Sequence, residues 1–167
     1  DYLRRTGVEV DMASLTDDLK VRGAHGIEVL ANKRIEEIKE HGSYSGVIIP
    51  GGLPGATNLR DDDRVIKLVK DYNEKGRLVA AICAGPIVLQ RAGIIKEKNI
   101  TSYPGFDKEL KDGKYKEEIV VQDGNIITAR GPAAAVYFAI KISEYLQGEE
   151  KAKELRKAIL LDLVERS

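Results

Sequence analysis

The sequence predicts an α/β fold in which a doubly wound, mostly parallel sheet is covered by helices on both faces. Three observations predict it. The segments "GVIIPGG" (46–52) and "RLVAAI" (77–82) are apolar throughout, as strands buried on both sides are. Each is followed by a stretch that reads as helix, the alternation that builds parallel sheets. The 167 residues contain no internal repeat, low-complexity tract or Pro/Gly/Ser-rich linker, so one domain spans 1–167.

The elements follow in chain order. "DYLRRTG" (1–7) reads as the last turns of a helix stopped by Gly7. So short a helix does not nucleate at a free chain end, and in this fold class a strand comes before it. The domain is therefore expected to lack its first strand and the loop that follows. "VEVDMAS" (8–14) reads as a strand, and "KVRGAHGIEVLAN" (20–32) as a hairpin around Gly23 and Gly26. "NKRIEEIKEHG" (32–42) reads as a charged helix showing only Ile35 and Ile38 to a core. "DDDRVIKLVKDYNEKG" (61–76) opens on three aspartates, spaces Val65, Val69 and Tyr72 helically and stops at Gly76. "AGPIVLQRAG" (84–93) is a helix closed by Gly93, and "NITSY" (99–103) a short strand before a polar segment. "EIVVQDGNIITAR" (118–130) is a hairpin turning at Asp123-Gly124. A helix from Pro132 to about Gln147 precedes a last amphipathic helix with Leu155, Ile159 and Leu163 on one face.

Charge excludes several function classes. Lys+Arg and Asp+Glu stand at 27 each, so no net field recruits nucleic acid or an anionic membrane, and no dedicated nucleic-acid surface is expected. The longest run free of charged and polar side chains, Leu78 to Leu89, is shorter than the ~20 residues a membrane helix needs. A single cysteine forms no internal disulfide, which suits a reducing cytoplasm.

Two strand ends carry unusual chemistry, and ligands of open parallel sheets bind beyond the carboxyl ends of strands. After the first, Gly51 and Gly52 let the backbone turn tightly and bring bare amides near a ligand, or simply form a turn. After the second stands Cys83, the only cysteine, where "RLVAAI" meets Ala84-Gly85-Pro86. Proline favours a helix's first turn, which places Cys83 at or beside the helix N-terminus. Small neighbours permit the sharp strand-to-helix turn that presents a nucleophile, and amides there favour thiolate. The competing reading is a buried structural cysteine.

"PGGLPGATNLRDD" (50–62), "AAICAGPIVL" (80–89), "TSYPGFDKEL" (101–110) and "TARGPAAAVYFAI" (128–140) together resemble the ThiJ/PfpI superfamily, and most closely its protein deglycase branch. The resemblance extends from residue 1 to residue 148. It implies a flavodoxin-like α/β sandwich like that of class I glutamine amidotransferases, built as a homodimer. It implies that Cys83 is the reactive cysteine, that Gly51, Gly52 and Ala84 line an oxyanion pocket with their amides, and that Arg130 lies close to the site. No cofactor and no metal are implied. The implied activities are conversion of glyoxals to hydroxy acids, release of early glyoxal adducts from proteins or nucleotides, and redox-sensing or holdase behaviour.

Three departures qualify the resemblance. The glutamate of the family's site lies in a loop after the first strand, upstream of Asp1, so no residue of this chain matches it. Tyr103 stands where the human member of the branch has a histidine. Ala84 follows the cysteine where the intracellular peptidase branch has histidine, which argues against peptidase activity.

The preferred reading is a cysteine-dependent, cofactor-free glyoxalase or deglycase acting on a small carbonyl substrate or a glycated protein or nucleotide. The alternative is a redox sensor or chaperone, since an accessible activated thiol oxidises readily. A dimeric scaffold with a relic site is the third. A Cys-His-acid amidotransferase or protease is disfavoured, because both histidines, His25 and His41, precede Cys83. His25 reads as an exposed turn or dimer contact, and His41 as a helix-end cation; so few ligands also oppose a metal site.

Overall fold

The computed structural model describes residues 1–38 and 44–166. In chain order it runs α1 (Tyr2–Arg5), β1 (Ala13–Ser14), β2 (Lys20–Arg22), β3 (Glu28–Leu30), β4 (Lys33–Arg34), a 3-10 turn (Ile35–Glu37) and β5 (Gly46–Ile49). It continues with α2 (Gly55–Asp61), α3 (Asp63–Glu74), β6 (Leu78–Ile82), α4 (Pro86–Ala92), β7 (Asn99–Ile100), β8 (Lys114–Tyr115), β9 (Val120–Asp123) and β10 (Ile126–Ala129). Helices α5 (Ala135–Gln147), α6 (Glu149–Ala158) and α7 (Leu161–Val164) end the chain.

The main sheet has the order β5-β6-β10-β9, with β5, β6 and β10 parallel and β9 antiparallel to β10. Strand periodicity divides its side chains between two cores. Val79 and Ala81 face one way, packing with Ile49, Val65, Val69, Tyr72 and Leu89 beneath α3 and α4. Leu78 and Ala80 face the other way, packing with Ile127, Phe138 and Ile142 beneath α5, where Leu3 of α1 joins them. Helices on both faces make this the doubly wound α/β fold that the apolar strands predict, and the flavodoxin-like one that the family resemblance implies.

A polar clasp pins the extended segment before β1 to the start of β5. Lys33 Nζ lies 2.8 Å from Asp11 and donates to the Tyr44 hydroxyl at 2.8 Å. The Tyr44 hydroxyl donates to Asp11, and Asn32 Nδ2 donates to it at 2.6 Å. These donors, Lys33 foremost, lower the Asp11 pKa to about 2, and Asp11 in turn holds that of Lys33 above its ordinary range.

Several expectations require correction. Only Ala13–Ser14 of segment 8–14 joins a ladder, a parallel pair with β4. The stretch expected as a charged helix from residue 32 is instead β4 and a 3-10 turn as far as Ile38; residues 39–43, His41 among them, lie outside the described residues. Helix α2 is an addition: residues 55–61 turn helical directly after the Gly-Gly corner, and Asp62 then caps α3 by accepting from the Arg64 amide. The 118–130 hairpin turns at Gly124-Asn125, because Asp123 pairs with Ile126. The last helix breaks at Leu160, which has a φ of 60°. The break turns Leu163 outward, 61% exposed, while Leu155 stays buried.

Candidate active site

Strand β6 delivers its chain to a reversal at Cys83, whose φ is +62°. A non-glycine residue there costs roughly 1–3 kcal/mol and persists only where its surroundings hold it. Three backbone hydrogen bonds do so. The Cys83 amide donates to Ala129 of β10 at 2.9 Å, the Tyr103 amide donates to the Cys83 carbonyl at 2.9 Å, and the Gly85 amide donates to Ile82 at 2.9 Å. The sheet, the 101–103 segment and the turn thus clamp one residue. Cys83 carries a free thiol and is half-buried, not sealed in dry packing. Pro86 then opens α4.

The end of β5 supplies the facing wall. A Cβ on Gly51 would lie 2.5 Å from Cys83 Cβ, 2.8 Å from the Ile82 carbonyl and 3.2 Å from the Ala84 amide nitrogen. Only glycine lets the two strand ends approach so closely. Gly52 follows at a φ of +87°, and its carbonyl accepts from the Ala56 amide at 2.8 Å, joining the corner to α2. Among the described residues, the amides of Gly51, Gly52 and Ala84 donate to no protein group. Free donors grouped around a thiol are what an oxyanion pocket requires.

Tyr103 and Arg130 are tied to the corner through the backbone: the Tyr103 amide bonds the Cys83 carbonyl, and Arg130 follows Ala129. The Tyr103 ring, 47% exposed, covers Gly131, with Cδ2 3.3 Å from where a Cβ on that glycine would lie. The Tyr115 hydroxyl donates to the Ser102 carbonyl at 3.1 Å and steadies the turn that carries Tyr103. Arg130 directly follows Ala129, the residue bonded to the Cys83 amide. Its guanidinium, however, donates to the Glu117 carbonyl at 2.9 Å. The structure therefore gathers Cys83, Gly51, Gly52 and Ala84 into one corner, sets Tyr103 beside it and leaves Arg130 at its margin. One neighbour went unread in the sequence: Ala24, at the β2–β3 turn, has its Cβ 3.7 Å from the position of a Cβ on Gly52. No local pattern announces that contact, which joins residues far apart in the chain.

Among the described residues, no carboxylate is hydrogen-bonded to the Cys83 sulfur, and no group of three or more His, Cys, Asp or Glu is placed to hold a metal ion. A cleft of about 530 Å³ lies elsewhere, lined by Ile119, Tyr137, Lys141, Glu144 and Arg156 among others. Its Lys141 and Arg156 are engaged with Glu144 and Asp162, and it holds no nucleophile. Chemistry, not volume, singles out the Cys83 corner. No described helix is long and apolar enough to cross a membrane.

Comparison with known proteins places the fold. The DJ-1/PfpI family profile matches residues 1–145. Protein DJ-1alpha of Drosophila melanogaster is 41% identical over 162 residues, covering 96% of this chain and 75% of its own. Glutathione-independent glyoxalase DJR-1.2 of Caenorhabditis elegans is 36% identical over 162 residues, covering 96% of this chain and 86% of its own. The crystal structure of Drosophila melanogaster DJ-1beta superposes with a TM-score of 0.91 at 36% identity, over 95% of this chain and 86% of that one. With nearly the whole chain matched in both sequence and fold, the protein belongs to the DJ-1/PfpI family.

Proposed function

We propose that the protein is a cofactor-free glyoxalase that uses Cys83 as its nucleophile and converts methylglyoxal-type dicarbonyls, or their early adducts, into hydroxy acids. The observation that carries this reading is the strained Cys83 turn beside three free amides. The similarity to a relative named as a glutathione-independent glyoxalase supports it.

The chemistry balances without a cofactor. The Cys83 sulfur attacks the aldehyde carbon; a C–S bond forms, the C=O π bond opens, and the resulting oxyanion is met by the Gly52 and Ala84 amides. Loss of one such donor typically costs a hundredfold or more in rate. A base removes the proton from that carbon and returns a proton to the adjacent carbonyl carbon, so the aldehyde carbon is oxidised as its neighbour is reduced. Water cleaves the resulting thioester, the thiol regains its proton, and methylglyoxal plus water becomes lactate. The base is proposed to be the carboxylate that the family resemblance puts upstream of Asp1. Tyr103, with its phenol at the rim, and Arg130 are proposed to contact substrate.

A homodimer joined through the β2–β3 hairpin is proposed from its exposed apolar residues, Ile27 at 72% and Leu30 at 69% among them. A reducing compartment such as the cytoplasm suits a free thiol. The decisive test mixes purified protein with methylglyoxal and assays lactate. Turnover that Cys83→Ser abolishes supports the reading, whereas equal turnover by that variant ends it. Rapid gain of two oxygens on Cys83 in dilute peroxide, with no lactate formed, would favour the redox-sensor reading.

A further inference from the structure

The β2–β3 turn lies against the Cys83 corner through Ala24 and Gly52. Its geometry is tight: the Gly26 amide donates to the Gly23 carbonyl at 3.0 Å and the Gly23 amide to that of Ile27 at 2.8 Å. The ends of such a turn stand within about 7 Å of each other, and Ala24 sets the turn beside Gly52. Two of its groups are basic. The Arg22 side chain folds across the turn, its Nη2 3.6 Å from where a Cβ on Gly26 would lie. His25 stands at the tip, exposed beside Ala24. Arg130 follows the residue that bonds the Cys83 amide, and its guanidinium donates to the Glu117 carbonyl at 2.9 Å.

Among the described residues, neither the Arg22 and Arg130 guanidinium groups nor the His25 ring is paired with a carboxylate, whereas Glu28 on the same hairpin is engaged by Lys20 at 3.5 Å. Asp123, the acid nearest Arg130 along the chain, is engaged by Lys98 at 3.1 Å. A guanidinium keeps its charge and presents several donors in one plane, a match for a carboxylate.

We infer that the β2–β3 turn is the outer wall of the Cys83 site and that Arg22 and His25 on it favour carbonyl substrates bearing a carboxylate. This rests on the reading of Cys83 as a nucleophile toward carbonyls, but its test needs no turnover. Cys83 is alkylated with iodoacetate and with iodoacetamide, two reagents of like size of which only the first is charged. Both react with the same sulfur, so the ratio of their rate constants reports the charge at the mouth and nothing of the thiol's own reactivity. Replacing Arg22 and His25 together by glutamine lowers the iodoacetate-to-iodoacetamide ratio roughly threefold or more at low salt, and high salt erases the difference between variant and parent. Lys153→Gln, on the distant α6, leaves the ratio unchanged. An equal ratio in parent and double variant overturns the inference, as does failure of both reagents to reach Cys83. Ala24→Tyr gives a second reading: it slows a bulky maleimide more than iodoacetamide if the turn walls the site, and slows neither if it does not. Loss of lactate formation with the ratio effect intact would refute the glyoxalase reading alone.

Discussion

The corner at Cys83 and the β2–β3 hairpin lie side by side yet are built in opposite ways. Every residue from Leu78 to Ala81 is buried, and the strained Cys83 turn beyond Ile82 is tied by three backbone hydrogen bonds. All six strand residues of the hairpin are exposed, Val21, Val29 and Leu30 included. An isolated two-stranded ribbon is marginally stable, so it can serve as a surface but cannot hold a reactive group in a costly conformation. Strain is kept where packing over-determines it, and recognition is left to the part that can change without unfolding the domain.

The sharpest way to break this comparison is Gly51→Ala. Its new Cβ would meet Cys83 Cβ at 2.5 Å, forcing the two strand ends apart. A displacement near 1 Å typically costs about a hundredfold in rate, so kcat/KM toward methylglyoxal should fall by roughly that factor or more. Gly55→Ala, with nothing within 4 Å, should leave it unchanged.

Next in size is the contrast between buried and exposed apolar residues. Ile127, fully buried on β10, should lose about 2–5 kcal/mol of stability on replacement by alanine, read from urea unfolding. Val29→Ser should stay within about 0.5 kcal/mol in the same assay, while weakening self-association in sedimentation if the hairpin joins two copies.

A smaller effect belongs to the helix that covers the sheet beyond the corner. The Asp62 side chain caps α3 by accepting from the Arg64 amide at 2.9 Å. Asp62→Ala should cost about 1 kcal/mol of thermal or urea stability.

The polar clasp before β1 sharpens the comparison by pH. Folding lowers the Asp11 pKa to about 2, so its contribution is complete above the ordinary carboxylate range near 4. It is lost as pH falls from there toward 2, because the folded protein must then take up the proton its partners resist. Asp11→Asn should flatten that part of the stability profile, and a profile of unchanged slope would contradict the clasp.

Much of this architecture was legible from residue order because it is written in local terms. Apolar runs bounded by glycine mark β5 and β6, the aspartate-rich start and Gly76 bracket α3, and small residues with Pro86 mark the turn after Cys83. The misreadings fall where tertiary contact overrules local pattern. The 32–38 stretch is charged like a solvated helix, but Lys33 is taken by Asp11 and Tyr44, and Lys33–Arg34 pairs with β1 instead. Leu163 keeps helical spacing with Leu155, yet the chain breaks at Leu160 and turns it outward.

Sequence alone determined the alternation of β5 and β6 with α3 and α4, and the lone thiol at a strand end flanked by residues too small to obstruct a turn. Those features depend on side-chain size and polarity at fixed spacings, which neighbours along the chain carry by themselves. Only the tertiary structure decided that Cys83 is held at positive φ, that Gly51 touches it, and that Ala24 brings a basic turn against Gly52. Each joins residues distant in the chain, and such approaches are set by how packed layers fit together, which no local periodicity records.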